Sequence, residues 1–355
     1  MDMLKAVLGA VHQILLWLPS VSYGPPKENP AWGPITATIN WCEEDYYLTR
    51  YCAEFINTLT NLIFIGLAIK GMRNVLKEGH DTIFFVAFAG YCCVGIGSFL
   101  FHATLWYSMQ LVDELSMIYA TSIMMWASLT HGRSLRYSIF CGVLLASLAL
   151  GVSIIYHHLQ DPVFHQNAFA LLTIVVLFRS FFLMEWNIRS KDSKCVNDMW
   201  LMVGTGIGVF LCGFGVWNLD NIYCKDLRGW RKDIGMPWAF VSEGHGWWHL
   251  LTGIGAYYEL QYGIYLRHCL DGRQGEYKLH WPRVWSLPEV RRWKSGEREQ
   301  LRKDEERGRR RSPNRVEKGE KVIGDVKGNG AALNGNGNGD VVVNGNGNGA
   351  MKKKA

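Results

Sequence analysis

Read along the chain, apolar residues gather into seven long stretches divided by short polar connections, at about 53–72, 82–102, 112–131, 134–156, 164–185, 198–219 and 245–266. Each approaches the roughly 20 residues that a helix needs to cross the hydrocarbon core of a bilayer. At such lengths only a helix satisfies its own backbone in lipid. The pattern therefore predicts an all-α integral membrane protein, a bundle of seven transmembrane helices. Outside it lie residues 1–31, a signal-like or interfacial segment whose apolar core is too short to span, and residues 271–355, a basic and then Gly/Asn-rich tail. The membrane domain occupies 32–270.

The average composition points the other way, because the mean hydropathy of the 355 residues is only +0.01. The polar tail lowers that average and carries much of the net charge of +6. Its NGNGNG repeats cannot build a core, so a solvated extension is expected, with basic attraction to anionic headgroups as a second role. The final KKKA is similar to a dilysine-type retrieval signal, which places the protein in the endoplasmic reticulum, with the Golgi as the alternative. Nothing in the chain points to nucleic acid.

Short loops rich in Lys and Arg stay on the cytosolic side. Lys70, Arg73 and Lys77 follow the first stretch, Arg133 and Arg136 the third, and Arg189, Lys191 and Lys194 the fifth, whereas the connections after the second and fourth have no Lys or Arg. This sets the N-terminus in the lumen and the C-terminal tail in the cytosol. The connection 220–244 conflicts, since it carries Lys225, Arg228, Arg231 and Lys232 yet falls on the lumenal side of a seven-span chain.

Ionisable groups inside a membrane are costly and mark function by default. Ser98 and His102 lie four residues apart near the lumenal end of the second stretch, Asp113 opens the third, and His245 and His249 repeat the i, i+4 spacing at the start of the seventh. Antiparallel crossing brings these groups to one membrane depth. Three imidazoles from two helices are how a protein builds a zinc site whose fourth position stays open. A helix-end histidine taken alone is more often an interfacial residue; the coincidence of three with Ser98 and Asp113 favours metal. His157, His158 and His165 fall in a polar connection and are expected to be solvated.

Ahead of the first stretch, Asn40, Glu43, Glu44, Asp45 and Glu54 cluster the hard oxygens that calcium prefers. An acidic turn capping the first helix fits the same residues. Of nine cysteines, most lie inside apolar stretches. Cys42 and Cys224 both face the oxidising lumen and could pair, with Cys52 as a competing partner.

Several segments together resemble the alkaline ceramidase family: WGPITATINWCEEDYYLTRYCAEFINTLTNLIF, GIGSFLFHATLWYSMQLVDELSMIYAT, FHQ at 164–166, VWNLDNIYC at 216–224 and HGWWHLLTGIGAY. The match runs from about Trp32 to about Tyr262, and the organisation is similar to fungal members. The resemblance implies a seven-helix fold, zinc on His102, His245 and His249, and Ser98 and Asp113 beside the metal. It implies a calcium site on Asn40, the Trp41 carbonyl, Glu43, Asp45 and Glu54; an aspartate is expected where Asn40 stands, so calcium affinity is the property in question. The implied reaction is hydrolysis of a ceramide amide within the bilayer, giving a long-chain base and a fatty acid. There Asp113 shuttles the proton and Ser98 bonds the carbonyl oxygen. The rival is a non-enzymatic heptahelical receptor of the adiponectin-receptor type with structural zinc; WCEED favours the ceramidase branch.

Overall fold

The computed structural model describes residues 19–22, 24–283, 286–294 and 296–297, together with Gly9 and Gln13. The N-terminal segment falls mainly outside these residues, as does the tail with its Gly-Asn repeats and KKKA. Every expected apolar stretch is helical, with ends within a few residues of those read from the pattern. The helices are α1 (Phe55–Thr60), α2 (Leu62–Glu78), α3 (Thr82–Thr104), α4 (Tyr107–Thr130), α5 (Leu135–Leu159), α6 (Pro162–Ile188), α7 (Ser193–Ile222) and α9 (Gly244–Leu270). The short α8 (Cys224–Ile234) lies between α7 and α9 in a connection where the pattern predicts no helix.

Polar punctuation sets the ends. Ser134 accepts from the Tyr137 N–H ahead of α5, Asp161 precedes Pro162 at the head of α6, and Asp192 accepts from the Cys195 N–H ahead of α7. Five helical runs, Phe55–Glu78, Thr82–Thr104, Leu135–Leu159, Pro162–Ile188 and Ser193–Ile222, are long and apolar enough to cross a membrane. On α5 and α6 large apolar side chains such as Phe140, Leu144 and Phe178 point outward, where water would penalise each by about 1.5–3 kcal/mol. α4 and α9 have 24 and 27 residues and are long enough, but they carry polar side chains, among them Asp113, Glu114, His245 and His249. α9 is also the central helix: it packs against α1, α2, α3, α6 and α7, and most of its residues are buried.

Residues beyond 270, read as tail, do not all leave the bundle. Strands β1 (Tyr277–His280) and β2 (Glu289–Arg292) form an antiparallel hairpin with Tyr277 opposite Arg292. The hairpin docks through Asn74 Nδ2 to the Val290 carbonyl at 3.1 Å, the Val290 N–H to Gln261 at 3.0 Å, and a Lys70–Glu289 ion pair. Lys294–Ala355 are a separate unit from Met1–Trp293, and only Lys294 and residues 296–297 of it are described. Its described residues make a turn in which the Glu297 N–H donates to the Lys294 carbonyl at 3.2 Å.

Candidate metal centre

His102 sits in the last turn of α3, and His245 and His249 in the first turns of α9. Their ring centroids are 5.1, 4.8 and 4.6 Å apart for the pairs 102–245, 102–249 and 245–249. All three are buried, and one nitrogen of each lies within 4.8 Å of the others. Among the described residues this is the single convergence of three potential His, Cys, Asp or Glu ligands.

The outer nitrogens explain how the rings are aimed. His102 Nδ1 bonds the Glu54 carboxylate, and His249 Nδ1 faces Thr60 Oγ1 at 3.0 Å and Asn61 Nδ2 at 3.4 Å. His249 also bonds the Asn57 backbone. His245 lies against the Trp41 ring, with centroids 4.4 Å apart and planes 26° from parallel, and its buried Nδ1 has no partner. Imidazoles held by carboxylate or hydroxyl groups, with one nitrogen of each converging on the others, are a donor set suited to zinc.

Backbone ties set this local structure. The Glu54 N–H donates to the His102 carbonyl at 2.9 Å and the Ala53 N–H to the Ala103 carbonyl at 3.0 Å, so the chain entering α1 is laced to the end of α3. The same lacing delivers the Glu54 side chain to the His102 ring. One turn before His102, Ser98 hydrogen-bonds Asp113 of α4. Close backbone approach permits this contact, since a Cβ added at Gly97 would lie 3.0 Å from the Asp113 nitrogen.

The WCEED segment is more committed than its acid content suggests. Glu43 caps α1 from a distance, accepting from the Ile56 and Asn57 N–H groups at 2.7 and 2.8 Å. Asn40 Nδ2 donates to Asp45 at 2.8 Å, and the Trp41 N–H to Glu54 at 3.2 Å. The Trp41 carbonyl accepts from Arg228 at 3.1 Å, leaving its second lone pair for a cation. Burial, then the neighbouring Glu243 and Glu54 charges, push the Glu43 carboxyl well above its usual range. Burial also raises Asp45, against the Asn40 hydrogen bond, and carries Glu243 up to about 8 despite Arg231 beside it. Asp45 Oδ1 and both Glu44 oxygens are buried without a hydrogen-bond partner. Orphaned oxygens among acids that resist ionisation are an environment that a divalent cation would relieve.

Cys42 and Cys224 are joined by a disulfide with Cα atoms 5.4 Å apart, and Cys52 is a free thiol whose sulfur lies 3.2 Å from Thr58 Oγ1. His165 departs from its expected solvated place: it is buried, and its Nε2 donates to the Glu114 carbonyl at 2.7 Å. His157 and His158 are exposed. The pattern reading missed the roles of Glu54 toward His102 and of Thr60 and Asn61 toward His249. A signal was there, because NTLTN places amides and hydroxyls at helical spacing in an apolar run.

The family model described as Ceramidase matches residues 33–291. The chain is 36% identical over 241 residues to alkaline ceramidase 3 of Mus musculus, covering 66% of this chain and 86% of that protein. It is 35% identical over 250 residues to the alkaline ceramidase YPC1 of Saccharomyces cerevisiae, covering 67% of this chain and 78% of that protein. An alkaline ceramidase of Arabidopsis thaliana is 26% identical over 226 residues.

Proposed function

Because the chain belongs to the ceramidase family, as an integral membrane hydrolase, we propose that it is a zinc-dependent alkaline ceramidase cleaving the amide of a ceramide held in the bilayer. The observation that carries this reading is the convergence of His102, His245 and His249 one turn from the Ser98–Asp113 pair. The three imidazoles would hold the ion. Bound zinc supplies Lewis acidity and makes water acidic enough to attack an unactivated amide near neutral pH. Asp113 accepts the proton from the attacking water and returns it to the leaving amine. Ser98 has a single hydroxyl proton, which its contact with Asp113 holds at rest. Once Asp113 carries a proton it becomes the donor of that contact, and the Ser98 hydroxyl is released to bond the carbonyl oxygen as charge gathers there. The products are a long-chain base and a fatty acid.

Asn40, the Trp41 carbonyl, Glu43, Asp45 and Glu54 are assigned to calcium, supported by the orphaned Asp45 oxygen. Seven spans with a lumenal N-terminus, a cytosolic C-terminus and residence in the endoplasmic reticulum complete the reading. The basic residues in the second half of α2 and around the connections after α4 and α6 support that orientation, and so does the disulfide, which needs an oxidising compartment. The receptor alternative loses ground because the matched relatives carry the name ceramidase.

Membranes containing the wild-type chain are expected to release long-chain base from ceramide. His249→Ala should lose at least about a thousandfold while still inserting, as removal of a metal ligand predicts. Turnover in that variant at the wild-type rate, or purified wild type without tightly held zinc, overturns the zinc mechanism.

A further inference from the structure

Arg231 of α8 is fully buried, and a guanidinium cannot shed its charge. It must therefore be surrounded by acceptors, and their identity is informative. Its Nη2 reaches Asp220 Oδ1 at 3.2 Å, Glu243 Oε2 at 3.0 Å and the Ser242 carbonyl at 2.9 Å. Its Nη1 donates to the Cys42 carbonyl at 2.7 Å and lies 3.6 Å from Glu44. The WCEED segment, the end of α7 and the start of α9 thus meet on one cation.

Asp220 has a second task. Its Oδ1 accepts from the Gly244 N–H at 3.1 Å, and it also bonds the His245 N–H. These are the first orphan donors of α9, whose own N-cap residue, Glu243, makes no side-chain cap. A Cβ at Gly244 would lie 2.6 Å from the Asp220 Cβ, so this close approach requires glycine. A carboxylate at a helix N-terminus is favourable, yet Asp220, Glu243 and Glu44 buried together repel one another, and Arg231 offsets that repulsion.

We infer that Asp220, Arg231 and Glu243 are positioning residues for the metal centre: Asp220 caps α9 from α7, Arg231 ties Asp220 to Glu243, and together they fix the backbone at His245 and so set how tightly the three histidines hold metal. The inference rests on the zinc reading above. A ligand helix free to shift by a fraction of an ångström at its first turn moves His245 relative to His102, and metal sites tolerate only about 0.5 Å. The Cys42–Cys224 bond ties α8 to the same segment and keeps Arg231 in place.

The test measures the zinc dissociation constant of purified full-length protein by chelator competition, with melting temperature read in parallel. The variants are Asp220→Asn and Arg231→Lys, with Asn74→Ala as a stability control at the hairpin. Asp220→Asn and Arg231→Lys are each expected to weaken zinc binding 10- to 100-fold, the range typical for groups that orient metal ligands. Asn74→Ala should lower the melting temperature with unchanged zinc affinity. Wild-type affinity in both cluster variants overturns the inference, and so does affinity that falls in step with melting temperature across all three. If Asp220→Asn does not accumulate, Arg231→Lys, which keeps the charge and loses the fork, carries the same comparison. A wild type that binds no zinc removes the functional reading itself; equal affinity in zinc-binding wild type and variants removes only the positioning role.

Discussion

At the scale of single residues, the question is which acid serves which site. Glu54 touches both proposed sites: its carboxylate bonds His102 Nδ1 and accepts from the Trp41 N–H and from Asn57. Glu54→Gln is therefore expected to weaken zinc retention 10- to 100-fold as well as to alter any calcium response, measured by metal content after chelation. Asp45 separates the two, because its side-chain hydrogen-bond partner is Asn40, whereas the histidines' own partners include Glu54, Thr60 and Asn61. Asp45→Asn should shift a calcium titration of activity to higher concentration while zinc content stays at the wild-type level; superimposable titrations would remove Asp45 from the calcium set. The histidines themselves were legible in the sequence, since i, i+4 spacing and antiparallel crossing suffice to place them together. Glu54 was legible only as an acid. Its attachment to His102 depends on lacing between residues about fifty positions apart, which no local pattern encodes.

At the scale of elements, the apolar pattern located seven helical stretches because lipid-length apolar runs leave the backbone no alternative, and it did not foresee the break at Asn61 that divides the first into α1 and α2. It missed α8, whose sequence CKDLRGWRKDI reads as a charged loop. The structure gives those charges internal uses: Arg228 donates to the Trp41, Cys42 and Glu43 carbonyls, and Arg231 is enclosed by acids. Two of the four basic residues that conflict with a lumenal placement are thereby consumed as internal donors, and the topological conflict weakens. Packing of α3 on α4 makes a further test. Gly97→Ala would force the α4 backbone away from Ser98, at a cost of about 1–3 kcal/mol for overpacking. The expected result is a large fall in kcat with zinc content retained, since the ligands lie on α3 and α9 and the displaced group is Asp113. Loss of zinc in proportion to activity would show that α4 supports the ligands instead of the proton shuttle.

At the scale of the whole molecule, the hairpin closes the end of α2 and α9 through a second histidine pair. His80 Nε2 faces the Val290 carbonyl at 3.0 Å and must donate there; in the neutral ring Nδ1 is then an acceptor, and His268 Nε2 donates to it at 2.9 Å. His268 stacks on Tyr277 at 3.6 Å, and its buried Nδ1 has no partner, so the arrangement suits two neutral rings. Burial holds His80 below its usual value of about 6.5, aided by Arg292 and Arg273 and opposed by the Val290 carbonyl and Glu78. The sign follows. The unfolded chain takes up a proton as pH falls through about 6.5 while the folded chain does not, so stability present above that pH is lost between it and the lower folded value. Acids raised by burial, such as Glu43, act in the opposite sense, gaining stability as pH falls, so the wild-type melting curve alone mixes the two. Subtracting a His80→Asn variant isolates the pair: the wild type should lose more melting temperature than the variant between pH 7 and about 5. Amide exchange at Val290, whose N–H bonds Gln261, should accelerate in the wild type over the same interval. Parallel curves for the two proteins, with Val290 exchange changing no more than chemistry dictates, would mean that this histidine pair does not hold the hairpin to the bundle.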